Sequence, residues 1–396
     1  MIHINRSVLR GQPLSAEEAE FFDAAAPAAA IEVLGRWRPY QPSPLRSLAA
    51  LAKRVGLARI DVQDESGRFG LGSFKALGGA HAVMRLVLER ASVRLGRIVT
   101  AAELRDPDVA AVARSITVAC ATDGNHGRSV ASGATFLGCR CVVFVHERVS
   151  EARVAAIAAF GAEMRRVAGS YDDSVSEALR VASAEGWLVV SDTSWAGYER
   201  IPRLVMQGYT VMAHEALQSL QQVPTHVFVQ AGVGGLAAAV AAHLNLVLPA
   251  SQQPRVIVVE PEQVACVLQS AAAGKPMRLP VAADTIMAML ECYEPSPVAL
   301  NILERCAAAF MTVNDAAAIR AMNEYGKPSG GDPGGGDPRV VAGESGAAGL
   351  AGLLTLLADA ESAAALQLDA ASRVLLFNTE GATDPDLYRK YTGIAP

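Results

Sequence analysis

Short runs of β-branched and apolar residues alternate with alanine-rich stretches of helical length along most of this chain, and that alternation restricts the fold more than any other feature. The runs at 116–120, 141–145, 188–191, 226–230, 256–260 and 374–378 are continuously apolar, the pattern of strands buried on both faces. Between them lie 128–136, 151–160, 174–185, 203–217 and 236–244, each with helical length and spacing. Strands covered on both faces need helices on both sides, which predicts an α/β protein built on twisted, mainly parallel sheets. Ser15, with Glu18 three residues on, has capping-box spacing and opens a helix ahead of the first of these strands.

A chain of 396 residues has room for two domains of ordinary size. With 51% hydrophobic and 19% charged residues it can bury a large core, which excludes a disordered chain. Much of the apolar excess is alanine, which favours helix, and no run of about 18 uninterrupted apolar residues is present to span a membrane. The opening Met1-Ile2-His3-Ile4-Asn5-Arg6 lacks the apolar core and cleavage site of a secretory signal, so the expected localisation is cytoplasmic. A net charge of −5 argues against nucleic acid as the main partner. The six cysteines read as free thiols. Cys139 and Cys141 would share one side of a strand with no second ligand pair for zinc, and no metal site is expected. Only Cys266 and Cys292, flanking a Gly/Pro-containing region, form a pair whose meeting the sequence leaves open. The patch at 329–338, with its doubled Gly-Gly-Asp-Pro, reads as a surface loop without chemistry.

Lys75 stands in Gly72-Ser73-Phe74-Lys75-Ala76-Leu77-Gly78-Gly79, among small and apolar residues with no acidic neighbour nearby. Enclosure of this kind favours the neutral amine, a nucleophile able to condense with an aldehyde. An ammonium that snorkels to water is the alternative on this segment alone. A second segment, Ala121-Thr122-Asp123-Gly124-Asn125-His126-Gly127-Arg128, follows a strand and precedes a helix, at the carboxyl end of a parallel sheet where α/β folds bind ligands. An Asx turn would explain its Asp, Gly and Asn but not its His. A third, Gln230-Ala231-Gly232-Val233-Gly234-Gly235-Leu236, has glycines that let backbone N–H groups approach an anion. It is an incomplete dinucleotide fingerprint and lacks Gly-Lys-Ser/Thr, so a single phosphate suits it better than a pyrophosphate. Asp192 ends another strand, reading either as a rim carboxylate or as a helix cap. The last strand delivers Thr379 at its carboxyl end, and Gly343-Glu344-Ser345-Gly346 turns into a further helix. A desolvated lysine, a mono-phosphate cradle and an asparagine turn together fit pyridoxal phosphate, which needs an amine for its aldehyde and donors for its phosphate. It also needs a hydrogen bond to its ring oxygen and a group facing its ring nitrogen.

With these residues in hand, the chain resembles the tryptophan synthase β-like, or fold type II, pyridoxal phosphate enzymes. Ser73-Phe74-Lys75 is similar to their Schiff-base lysine motif, Gly124–Gly127 to their ring-facing asparagine turn, and Gly232–Gly235 to their phosphate loop. Within that group it resembles the diaminopropionate ammonia-lyases, over Gly72–Gly79, Ala121–Arg128, Asp192–Tyr209, Asp284–Pro297, Asp337–Gly349 and Thr379–Tyr388. The resemblance implies cofactor contacts from Phe74, Lys75, Asn125, Gly232, Val233, Gly234, Gly235, Leu236 and Thr379. Substrate would meet Ser73, Asp123, His126, Asp192 and Ser345, with Ser345 the second choice for the ring nitrogen. Serine and threonine dehydratases typically carry serine where this chain has Asp123. A dehydratase expels hydroxide from a neutral side chain, whereas an ammonia-lyase must bind a second ammonium, for which a carboxylate is better suited. The implied reaction is α,β-elimination of 2,3-diaminopropionate to pyruvate and two ammonia. Its catalytic residues would be Lys75, Asp123 and Asp192, with Lys75 and Asp123 as bases on opposite faces of the cofactor. Dehydratase or β-replacement activity and a non-catalytic binder are the competing readings. Met289 stands where the family pattern has glycine, and the 329–338 loop is longer than usual. The expected architecture is a large domain of 1–88 and 194–396 with a small domain of 89–193 inserted, assembled as a homodimer.

Overall fold

A computed structural model describes residues 1–38, 40–122, 124–280, 284–327 and 336–396. Its strands are β1 (Ile2–Ile4), β2 (Leu45–Ser47), β3 (Arg59–Asp64), β4 (Thr117–Ala121), β5 (Arg140–His146), β6 (Glu163–Val167), β7 (Leu188–Val189), β8 (His226–Gln230), β9 (Arg255–Pro261), β10 (Ala307–Val313) and β11 (Arg373–Asn378). They fall into two sheets on two compact units. The first unit comprises Met1–Ala24, Pro42–Phe74 and Met212–Pro396, and the second Ala25–Gln41 and Lys75–Val211.

The first unit holds a seven-stranded sheet in the order β1-β10-β9-β8-β11-β3-β2. Its five inner strands are mutually parallel, and the three-residue strands β1 and β2 close the two edges antiparallel. Very short edge strands offer little template for pairing with another chain. Val256, Ile257, Val258 and Val259 of β9 are all buried, as the continuous apolar run requires. The Ala348–Leu357 helix lies so close to this sheet that a Cβ at Gly352 would stand 2.6 Å from Val259. On the Gly235–Val247 helix every residue from Gly235 to Leu244 is buried, which the alanine-rich sequence permits because its one polar side chain there, His243, donates to the Phe22 carbonyl at 3.3 Å. The described end of the glycine/aspartate patch helps to hold the fold. The Asp337 carboxylate accepts the Ala50 and Leu51 N–H groups at 2.7 and 2.8 Å, capping the Ala49–Val55 helix.

The second unit holds a four-stranded parallel sheet in the order β6-β5-β4-β7. Its long Lys75–Leu95 helix packs on the Asn125–Leu137 helix through small residues. The Ala80 N–H donates to Ser129 Oγ at 2.9 Å, and a Cβ at Gly133 would come within 2.8 Å of Ala80 Cα. These two helices can approach that closely only because Gly79, Ala80, Ser129 and Gly133 face one another.

The fold is that of the expected α/β class, and the Ser15–Glu18 capping box is formed in full. The expected domain limits of 88/89 and 193/194 differ from the observed 74/75 and 211/212. The first expected cut would divide the Lys75–Leu95 helix, which stays whole with the second unit because it packs on the Ala26–Trp37, Pro107–Ala113 and Asn125–Leu137 helices there. Among the described residues no helix is long and apolar enough to cross a membrane.

Candidate active site

Lys75 is the first residue of the second unit and of its longest helix. Two glycines fix its surroundings. A Cβ at Gly208 would sit 2.0 Å from the Leu77 carbonyl, and one at Gly78 would sit 2.4 Å from the Tyr209 ring. The Arg200–Ser219 helix therefore reaches the backbone just beyond Lys75, and the buried Tyr209 ring fills the space left at Gly78. The Lys75 ammonium lies 5.9 Å from the centre of that ring, within cation–π range.

Asp192 pairs with Lys75 through Oδ2, and each side chain is 21% exposed. Burial alone would raise the Asp192 carboxyl. The Lys75 ammonium and His126 more than offset this and hold it well below the ordinary carboxylate range. It is therefore an ion pair at neutral pH. The turn carrying Asp192 is held from both sides: the Ser191 N–H donates to the Tyr198 hydroxyl at 3.0 Å, and that hydroxyl donates to the Val189 carbonyl at 2.8 Å. Trp195 stacks on Tyr198 with ring centres 4.1 Å apart. Burial pushes Tyr198 and Tyr209 above the ordinary tyrosine range, so both stay neutral.

His126 is in the first turn of the Asn125–Leu137 helix, three residues earlier than the sequence places the helix start. Its Nε2 donates to the Val190 carbonyl at 2.8 Å. Its Nδ1 has no hydrogen-bond partner among the described residues and lies 3.9 Å from Asp192 Oδ2. Burial, with Lys75 nearby, lowers its proton affinity against the pull of Asp192. Asn125 opens the same helix beyond β4 and is 8% exposed. Asp123 lies outside the described residues.

In the first unit, the loop Gly232–Gly235 links β8 to the Gly235–Val247 helix. Gly234 is the N-cap residue at φ 95°, a left-handed conformation that costs other residues roughly 1–2 kcal/mol. The N-cap glycine has no side chain with which to cap this helix. Its first N–H groups have no intrahelical acceptors, the arrangement that receives an anion. The loop is fixed by the Ser296 N–H donating to the Val233 carbonyl and by the Ala231 N–H donating to Val259, both at 2.9 Å. A Cβ at Gly232 would approach Cys292 Sγ to 2.9 Å. Cys266 Sγ, on the other hand, faces the Gly232 carbonyl at 3.6 Å, and both cysteines are free thiols.

Gln230, the last residue of β8, gathers the neighbouring chain ends. Its Nε2 points at the carbonyls of Ser345, Gly346 and Phe377 at 3.0–3.2 Å and at Thr379 Oγ1 at 2.9 Å. With Gln230 donating to it, the Thr379 hydroxyl has its own proton left to donate. Ser345 Oγ is buried without a hydrogen-bond partner among the described residues. Ser73 bridges Glu380, and the Phe74 N–H donates to the Thr379 carbonyl at 3.0 Å, which fastens the residues preceding Lys75 to the end of β11. These donor groups suit pyridoxal phosphate: an amine, glycine N–H groups where a Cβ would collide, and buried hydroxyls with capacity to spare.

Neither Tyr209 nor Tyr198 is marked as a site residue by the sequence alone. The spacing of Gln207-Gly208-Tyr209 signals nothing by itself, and only the close approach at Gly78 and Gly208 gives the tyrosine meaning.

A profile of the pyridoxal-phosphate dependent enzymes matches residues 37–380. The diaminopropionate ammonia-lyase of Escherichia coli (strain K12) is 38% identical over 357 residues, covering 89% of this chain and 87% of the relative. The crystal structure of the Escherichia coli diaminopropionate ammonia lyase in complex with D-serine superposes with a TM-score of 0.85 at 34% identity, over 99% of this chain and 96% of that one. Its complex with an aminoacrylate-PLP azomethine reaction intermediate gives 0.85 at 35% identity, over the same shares. The chain belongs to the pyridoxal-phosphate dependent enzymes of fold type II, in the family of the diaminopropionate ammonia-lyases.

Proposed function

We propose that this protein eliminates ammonia from 2,3-diaminopropionate, giving pyruvate and two ammonia, as a carbon–nitrogen lyase that uses pyridoxal phosphate. The single observation that carries this reading is the Asp192 carboxylate held ionised beside the Lys75 amine. The lysine suits the aldehyde of the cofactor, and the carboxylate suits a substrate with a second ammonium.

When bound, pyridoxal phosphate supplies an electron sink for the carbanion at Cα. Lys75 holds its aldehyde, and the Gly232–Gly235 loop with Leu236 holds its phosphate through backbone N–H groups. Asn125 serves the ring oxygen. Phe74 borders Lys75, and Thr379 donates to the ring nitrogen, with Ser345 as the second candidate. Ser73, His126 and Asp192 meet the substrate. Lys75 takes the Cα proton on one face, and Asp123 is the base for the opposite face, as the family resemblance implies. We further assign the protein to the cytoplasm as a homodimer, in keeping with its free cysteines and with that resemblance.

The test is release of pyruvate and ammonia from D- and L-diaminopropionate, compared with serine and threonine. The reading expects two ammonia per pyruvate and a clear preference for diaminopropionate. Equal or greater turnover of serine or threonine would make the protein a dehydratase, and no turnover of any would make it a binder.

A further inference from the structure

Lys75 and Asp192 neutralise one another in a setting where few other groups can. Besides Lys75, the described side chains that feel the charge of Asp192 include His126, Tyr209, Tyr198 and Cys120. The two tyrosines and the thiol are kept neutral by burial, and His126 has its proton affinity lowered by burial. Lys75 is the ammonium paired with Asp192 in the structure. An ammonium so held has no lone pair with which to accept a proton. An opposite charge at such range raises the proton affinity of an amine by roughly one to three pH units.

We propose that the distal ammonium of the substrate replaces Lys75 as the counter-ion of Asp192, and that this exchange is what leaves Lys75 a neutral base. The inference rests on the diaminopropionate reading and deepens it: Asp192 does more than bind the second ammonium, because it switches the base on only when that ammonium is present. One carboxylate beside two ammonium groups leaves a surplus positive charge. Lys75 sheds that surplus by staying unprotonated. A β-hydroxyl carries no charge, so with serine Asp192 keeps a proton on Lys75.

The charges close over the cycle. Lys75 takes the Cα proton and becomes an ammonium. The Cβ–N bond breaks with its electron pair leaving on nitrogen, so the substrate's β-ammonium departs as neutral ammonia. The Cα electron pair becomes the Cα=Cβ bond, and Asp192, again without a counter-ion, recovers the Lys75 ammonium, which gives its proton to solvent before Lys75 takes up the aldehyde again.

The test uses Asp192→Asn with two readouts. In the cofactor-free protein, acetylation of Lys75 by acetic anhydride is followed against pH by peptide mass spectrometry. The half-labelling pH should fall by about one to three units in the variant and stay high in Asp192→Glu. In the holoenzyme, the preference for diaminopropionate over serine should fall by at least about 100-fold, diaminopropionate turnover losing much more than serine turnover. Where the asparagine variant does not fold, Asp192→Ser carries the same expectations. An unchanged half-labelling pH, or equal losses with both substrates, would overturn the exchange. If the wild-type protein releases no pyruvate from diaminopropionate, the functional reading falls and takes the exchange with it. That outcome is recognisable because the labelling shift is read without substrate.

Discussion

Lys75 and the Gly232–Gly235 loop are surrounded by opposite materials. The lysine region is built from charged and titratable side chains: an ion pair to Asp192, a histidine 3.9 Å from that carboxylate, and an aromatic face over the amine. The loop has no functional side chain at all. What it offers is backbone N–H groups, a left-handed glycine and a helix end whose N-cap glycine has no side chain. The first region should therefore respond to pH and to charge, and the second to added volume. Substitutions in one should leave the signature of the other untouched.

The largest expected effect on that contrast is acid sensitivity in the second unit. His81, on the Lys75 helix, is fully buried and donates from Nδ1 to the Leu204 carbonyl at 2.9 Å. Burial lowers its pKa to about 4, with Arg85 adding to the effect. The unfolded chain gains its proton near pH 6.5, before the folded one does. The stabilisation is therefore complete above about pH 6.5 and is lost as pH falls towards 4, by roughly 3 kcal/mol. All three tryptophans, Trp37, Trp187 and Trp195, belong to the second unit, so urea denaturation followed by their fluorescence reads this unit alone. His81→Asn should flatten the slope between pH 6.5 and 4.5. An unchanged slope would assign the acid response to other groups.

A smaller effect is expected at the loop. Gly234→Ala forces a left-handed conformation on a residue with a Cβ, at a cost of roughly 1–2 kcal/mol. Its cofactor affinity, measured by absorbance titration with pyridoxal phosphate, should drop by about tenfold, while the pH dependence of tryptophan-monitored stability stays as in the wild type. A changed pH dependence would break the division between the two regions.

The same contrast explains what the sequence disclosed. Lys75, the glycine loop and the apolar inner strands were readable because each shows in residue type and local spacing; His226–Gln230 falls on β8 residue for residue. The strand β10 was not readable, since Ala307-Ala308-Ala309 carries a helical propensity. It is a strand because it pairs along β9 and is buried there, a tertiary effect. β3 was missed for a different reason: Asp61, Gln63 and Asp64 interrupt its apolar run, although all three are buried in the fold. Asp192 showed as an acid at a strand end. Its pairing with Lys75, 117 residues away, has no local trace. Tyr209 had no signal either, because its place is cut by the absence of a side chain at Gly78.

Borohydride reduction of the holoprotein followed by peptide mapping tests the central assignment most directly. The chain has five lysines, Lys53, Lys75, Lys275, Lys327 and Lys390. The pyridoxyl mass is expected on the Lys75 peptide alone, and nowhere in Lys75→Ala. A pyridoxyl group on any other lysine of the wild-type protein, or one that survives the alanine substitution, would contradict it.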